Sequence, residues 1–248
     1  MLSDRKVFRR QFRLHPDDAK EAQRQIDKMH QAGVTEESPT ADYNSPIFLV
    51  GKKDGSRRLV IDLRGINQLV APRVVQLPKI NEFIDFVTLF KCKYMSVLNL
   101  RNGYFQIKLE KDSRPLTSFT APNGLRYCYK VCPFGLNTSP SAMLTVLTNI
   151  FSGKSSKIFC YMDDFLVTSS SWQEHMNNLE LLLDTLRNNN LSCNPTKCEF
   201  VFTEVEYLGY CISKKGIRIS PKKLKTIKAI CPPTSRKSLQ RLLGLFNF

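Results

Sequence analysis

Two acids stand side by side, Asp163 and Asp164, in the stretch KIFCYMDDFLVTS at residues 157–169. Apolar runs flank them, Ile158 to Met162 before and Phe165 to Val167 after. Each run is short and β-branched or aromatic, so the spacing predicts strand, tight turn, strand. Two carboxylates held close are costly unless water or a cation compensates them. Hard divalent cations such as Mg²⁺ take a few carboxylates plus substrate phosphates. One reading is therefore half of a two-metal phosphoryl-transfer site. The other is a solvated acidic turn, because Asp is a common turn former.

A second charged hairpin lies upstream. Lys52, Lys53, Arg57 and Arg58 flank Asp54-Gly55, a strong hairpin signal. Such a hairpin is either a sheet edge protected by charge or a basic flap able to hold a triphosphate. The hairpin alone leaves both open.

The overall charge narrows the class of partner. Among 248 residues, 37 Lys and Arg face 22 Asp and Glu, for a net +15. That balance implies a polyanion, either nucleic acid or an anionic membrane. No apolar run reaches the ~18 residues of a membrane span, and residues 1–12 have no apolar signal core. Nucleic acid is the expected partner and a membrane is not. The eight cysteines are spaced for neither zinc nor a disulfide scaffold. They read as reduced core residues of an intracellular protein. His15, His30 and His175 are scattered, and no ligand role is expected for them.

The positioning elements follow from pattern. Pro16, Asp17 and Asp18 open a helix with Ala19, Ala22, Ile26 and Met29 on one face, ended by Gly33. Residues 35–45 read as turn-rich, 46–50 and 59–63 as strands, 71–78 as extended and 79–90 as a short helix. Asp62 and Arg64 read as a structural pair. Residues 94–100 form a strand with Met95, Val97 and Asn99 on one face. A turn at Arg101-Asn102-Gly103 leads to alternating apolar residues at 104–109, and 125–131 is a further strand. Ser139 and Pro140 fit N-cap and N1 of a helix to 151. Trp172, Met176, Leu179, Leu183 and Leu186 predict a core-facing helical stripe. Strands are expected at 197–202, 205–212 and 216–219, a lysine-rich helix from Pro221, and a last helix capped by Ser235. The last pattern still runs at Phe248, as in a piece of a longer chain. The plan is α+β, an antiparallel sheet with helices on one face.

Five stretches, in order, resemble one family: LVIDLRGIN (59–67), SVLNLRNGYFQI (96–107), CPFGLNTSP (132–140), CYMDDFLV (160–167) and EYLGYCIS (206–213). From about residue 6 to 248 the chain is similar to the reverse transcriptase, an RNA-directed DNA polymerase, of gypsy-type LTR retroelements. The resemblance implies a right-hand polymerase fold, its antiparallel palm sheet backed by helices, with fingers and a truncated thumb. Residues 1–95 would be mainly fingers, 96–212 mainly palm with a finger segment at about 110–132, and 213–248 a partial thumb. It implies Asp163 and Asp164 as catalytic metal ligands, joined by the Leu100 backbone carbonyl. Lys52 and Arg58 would meet the triphosphate, Tyr104 would sit under the sugar, and Phe134 would lie beside the incoming nucleotide. Tyr207, Leu208, Gly209 and Tyr210 would grip the primer. Two Mg²⁺ ions, replaceable by Mn²⁺, are the implied cofactors. The implied partners are a template–primer duplex of RNA or DNA, dNTPs, and the remaining protease, ribonuclease H and integrase parts of a Pol polyprotein. The implied location is intracellular, in cytoplasm, virus-like particles or nucleus.

One residue departs from the family pattern. Asn99 stands where the family has a third metal-binding aspartate. Asparagine has nearly the same shape but no charge, and only its carbonyl oxygen can bind a cation. The expectation is a folded polymerase domain with impaired catalysis, or a nucleic-acid-binding relic of the same fold. Asn102, where a small residue such as serine is usual, is a lesser departure.

Overall fold

The computed structural model describes residues 5–52, 55–71, 80–89, 92–230 and 232–246. Lys53, Asp54 and nearly all of the expected extended stretch at 71–78 lie outside them.

Helix α1 (Pro16–Gln31) begins with Pro16 at its first position and Asp17 and Asp18 in its first turn, where acids meet the positive helix end. It buries Ala22 and Ile26, and Gly33 at φ +70° turns the chain out of it. Strand β1 (Thr35–Glu37) then occupies part of the stretch expected to be turn. Its polar residues hide it from pattern reading; a partner strand and the Arg114–Glu36 ion pair at 3.1 Å recruit it. Strands β2 (Ile47–Gly51) and β3 (Arg57–Ile61) form the basic hairpin, and a short turn of helix, α2 (Arg64–Asn67), follows. Asp62 accepts from the Arg64 guanidinium at 2.8 and 2.7 Å, which pulls its carboxyl down to about 2.

Helix α3 (Ile80–Leu89) precedes β4 (Tyr94–Asn99). A single 3-10 turn at Gly103–Gln106 replaces the alternating strand expected at 104–109. The reason is tertiary: Tyr104 and Phe105 both pack on Phe134, with ring centroids 5.1 and 5.3 Å apart, instead of pointing to opposite faces. Strands β5 (Phe119–Thr120) and β6 (Arg126–Tyr129) complete a small sheet with β1. Helix α4 (Ser139–Phe151) starts one residue early; Thr138 is its cap, and the Ser139 hydroxyl donates to the Pro133 carbonyl at 3.0 Å.

The acidic stretch folds as β7 (Ile158–Tyr161) and β8 (Asp164–Ser169), followed by α5 (Trp172–Asn188) and β9 (Glu199–Phe202). The antiparallel sheet they build runs β7-β8-β4-β9. The expected single strand at 205–212 is a hairpin, β10 (Glu204–Tyr207) and β11 (Tyr210–Ser213), because Leu208 and Gly209 take φ of 49° and 77° and reverse the chain. Strand β12 (Gly216–Ile219), α6 (Pro221–Lys228) and α7 (Arg236–Phe246) follow.

Three apolar cores hold these parts. One joins α1, β2, β3 and the β1-β6-β5 sheet through Ile26, Ile47, Ile61, Phe119 and Tyr129. The four-stranded sheet separates the other two. Leu98, Phe165 and Val167 face α4 and α5, while Met95 and Leu166 face α3 and the β10-β11-β12 sheet. Helix α5 is turned from its expected orientation. It buries His175, Asn178, Leu179, Leu182, Thr185 and Leu186, leaving Trp172, Met176 and Leu183 exposed. Periodicity counts only apolar residues. Here fully buried His175 is satisfied by the Ser96 hydroxyl at 2.7 Å and the Ser169 hydroxyl at 3.2 Å, so polar side chains occupy the inner face.

Candidate catalytic cleft

The β7–β8 turn is made by Met162 and Asp163, between the paired residues Tyr161 and Asp164. Met162 sits at φ +56°, a conformation that costs an L-residue roughly 1–2 kcal/mol and is kept where surroundings demand it. Strand β4 pairs antiparallel with β8, and its register sets Asn99 opposite Asp164. The Asn99 amide Nδ2 donates to Asp164 Oδ1. The Leu100 amide donates to the Asp163 carbonyl at 2.8 Å. Two segments more than sixty residues apart thus meet at one point.

Other neutral donors steady this junction. The Asn194 amide donates to the Asn99 carbonyl at 2.8 Å, and the Arg101 amide to the Ser192 carbonyl at 2.9 Å. Gln106 bridges the same loops, its side chain donating to the Arg101 and Ser192 carbonyls at 2.7 and 3.0 Å. Tyr207 is buried beneath the acids, and its hydroxyl donates to the Asp164 carbonyl at 2.9 Å. Gly103 lets the chain pass between helix and acids. A Cβ there would lie 2.9 Å from Met143 Cε and 3.1 Å from Asp163 Cβ.

The electrostatics match a partly desolvated acid pair. Burial pushes the Asp164 carboxyl above the usual carboxylate range; the Asn99 hydrogen bond and the Lys197 charge oppose this, while Asp163 adds to it. Burial, then Asp164 and Asp163, drive the Cys160 thiol up to about 12. Burial and Asp163 raise Tyr104 as well.

Beside the acids lies a cleft of about 280 Å³, lined among others by Lys52, Arg58, Asn102, Phe105 and Phe134. Asp163 and Asp164 are not part of its wall. Tyr104 joins the two places, feeling the Asp163 charge and packing edge-on against Phe134 at 5.1 Å. The Arg58 guanidinium lies 5.8 Å from the Phe134 ring centre. Arg57 instead pairs with Asp18, so of the two adjacent arginines only Arg58 reaches the cleft.

The structure therefore brings Asn99, Leu100, Asp163, Asp164, Tyr104 and Phe134 together, with Lys52 and Arg58 across the cleft. In the 207–210 turn, Tyr207 and Leu208 face the core and Tyr210 carries the Lys223 ammonium 4.9 Å from its ring centre. Pattern reading missed Gly103, Gln106, Lys197 and the bond from Tyr207. Only Gly103 had a sequence signal, and it pointed to a turn rather than to close packing. Among the described residues no three of His, Cys, Asp and Glu converge as a metal cluster, and no helix is long and apolar enough to cross a membrane.

Comparison with known proteins follows the same lines. A family model described as Reverse transcriptase (RNA-dependent DNA polymerase) matches residues 50–238. The Retrovirus-related Pol polyproteins from transposons opus and 412 of Drosophila melanogaster are 36% identical over 92% of this chain and 34% identical over 100%. The Transposon Tf2-3 polyprotein of Schizosaccharomyces pombe is 30% identical over 96%. The chain spans only 23%, 20% and 18% of those relatives' lengths. A solved foamy viral protease-reverse transcriptase dRH in complex with ds DNA superimposes with a TM-score of 0.88 at 27% identity, covering 99% of this chain and 43% of that one. The foamy viral enzyme with an RNA/DNA hybrid gives 0.82 at 28%, over 97% and 32%.

Proposed function

This chain belongs to the reverse transcriptase (RNA-dependent DNA polymerase) family, and on that premise we propose that it binds a template–primer duplex and dNTPs as the polymerase part of a Pol polyprotein, with catalysis weakened at Asn99. The observation that carries this is the pairing of Asn99 with Asp164, which completes a three-residue constellation with one neutral member. The +15 charge supports phosphate-backbone binding without sequence reading.

Asp163 and Asp164 leave two carboxylates able to take a divalent cation, less tightly than three would: they are adjacent, half-buried, and neither has an ion-pair partner within 4 Å among the described residues. When bound there, Mg²⁺ or Mn²⁺ would supply Lewis-acid activation of the primer 3′-hydroxyl and neutralise phosphate charge. The chain's own residues do the rest. Arg58 clamps triphosphate oxygens through its planar fork, and Lys52 adds a point charge. Tyr104 and Phe134 form the aromatic floor beside the nucleotide. Gly103 and the Tyr207 hydroxyl hold the acids at their positions. Catalysis of this kind is mainly positioning and charge stabilisation. In this reading the fingers correspond to the first core, the palm to the four-stranded sheet, and α6 and α7 to thumb; α3 goes with the palm by its packing.

Primer extension on RNA and DNA templates, with Mg²⁺ or Mn²⁺, tests the proposal beside Asn99→Asp. The expected outcome is slow extension by the natural sequence and a gain on the order of a thousandfold in Asn99→Asp. Equal rates would overturn the impairment. A second reading, a binding module without catalysis, draws on the same neutral Asn99. It predicts tight, salt-sensitive duplex binding and no extension by either protein.

A further inference from the structure

We propose that the Asn99 carboxamide stands in for a divalent cation, so that the acid pair is ordered without metal and binds Mg²⁺ or Mn²⁺ weakly. This rests on reading the cleft as a metal-assisted site. Three carboxylates at this junction would repel one another and need a cation to stay together. Exchanging one for an amide removes a charge and also supplies a donor. That donor is already used, since Asn99 Nδ2 donates to Asp164 Oδ1. The main chain of both acids is held by neutral donors too, Leu100 N on the Asp163 carbonyl and the Tyr207 hydroxyl on the Asp164 carbonyl. The Asn99 main chain is held as well, its backbone carbonyl accepting from the Asn194 backbone amide. The positive charge that acts on Asp164 is that of the exposed Lys197. Hydrogen bonds thus do at this site what a dication does among three carboxylates.

The arrangement then works against metal. An incoming dication must share or take the Asp164 oxygen on which the amide proton sits. It meets the positive end of the N–H dipole where the family's third carboxylate would attract it. To offer its oxygen instead, Asn99 must turn over and leave Asp164 without its donor.

The experiment compares thermal melting of the natural sequence, Asn99→Asp and Asn99→Ala, each in chelator and in millimolar Mn²⁺ or Mg²⁺, with Mn²⁺ titration calorimetry on each. The natural sequence is expected to melt at nearly the same temperature in chelator and in Mn²⁺. Asn99→Asp should melt lower than the natural sequence in chelator, recover by several degrees in Mn²⁺, and bind Mn²⁺ roughly tenfold or more tightly. Asn99→Ala should lose stability in chelator, because Asp164 loses its donor, and should not regain it with Mn²⁺. If Asn99→Asp folds only with metal, that also supports the inference. A natural sequence stabilised by Mn²⁺ as much as Asn99→Asp overturns it, as does Asn99→Ala matching the natural sequence in chelator. In either case extension by Asn99→Asp leaves the polymerase reading standing. If no cation stabilises any of the three and Asn99→Asp extends no primer, both fail.

Discussion

The molecule carries two charged hairpins that fold by the same local rules and end in opposite environments. The acidic hairpin, β7 and β8, lies between two apolar cores, and its sheet is covered on both faces. The basic hairpin, β2 and β3, is a two-stranded sheet whose described residues nearest the turn, Gly51, Lys52, Gly55 and Ser56, are exposed. In the first, partial burial takes water from Asp164, and the acid turn is held by hydrogen bonds from Asn99, Leu100 and Tyr207. In the second, Lys52 and Arg58 stay solvated and reach into the cleft from outside. A partly buried charge is costly and is held in one place; an exposed charge costs little and can follow a ligand. In the proposed function, the same contrast separates a fixed chemical centre from an adjustable phosphate clamp.

Four measurements break or sharpen that contrast. The largest effect is expected at the buried hairpin. Asp164→Asn, made in the Asn99→Asp background, should abolish the regained primer extension, a loss on the order of a thousandfold, while the melting temperature in chelator rises, since two carboxylates and an amide again share the site. Retained extension would mean that the acid pair is a turn and nothing more. Next, Gly103→Ala should destabilise the fold by about 1–3 kcal/mol, since the new methyl meets Met143 and Asp163. Denaturant unfolding measures this, and an unchanged midpoint would show that the acid turn yields freely.

The exposed hairpin should respond differently. Arg58→Ala is expected to raise the KM for dNTP roughly tenfold, about 1.4 kcal/mol, with stability within ~0.5 kcal/mol of the natural sequence. A fall in stability with no change in KM would place Arg58 in the fold and not in the clamp. The smallest effect concerns the polar layer behind the sheet. Burial lowers the His175 pKa below its ordinary 6.5. The unfolded chain therefore binds the extra proton first, so stability should be full above the unfolded value and decline as pH falls below about 6.5. Melting curves across that range, with and without His175→Gln, isolate the slope; an identical slope in both would remove His175 as its source.

Much of this could be read from residue order. The +15 charge, the basic hairpin, the Asp163-Asp164 turn and the helices opened by Pro16, Pro140 and Pro221 all rest on local rules, and local rules act over a few residues. Apart from the local reversal at Leu208-Gly209 and the early start of α4, where the structure differed a distant partner had intervened. Polar β1 became a strand because β6 and Arg114 were there to hold it. Residues 104–109 gave up alternation because Phe134 offered both aromatic rings one surface. Helix α5 turned because Ser96 and Ser169 could satisfy a buried histidine.

The chain's letters alone determined that an acid pair exists and that the chain as a whole carries +15, and the family resemblance they carry marked Asn99 as an amide where a third acid is expected. Only the folded arrangement decided that this amide donates to Asp164, that Gly103 has no room for a side chain, and that Tyr207 braces the acids from below. The reason is one of range. Strand alternation and turn chemistry are written in neighbouring residues, whereas the register between β4 and β8 is set by apolar packing on both faces of the sheet. A slip of one residue would send every one of those side chains to the wrong core.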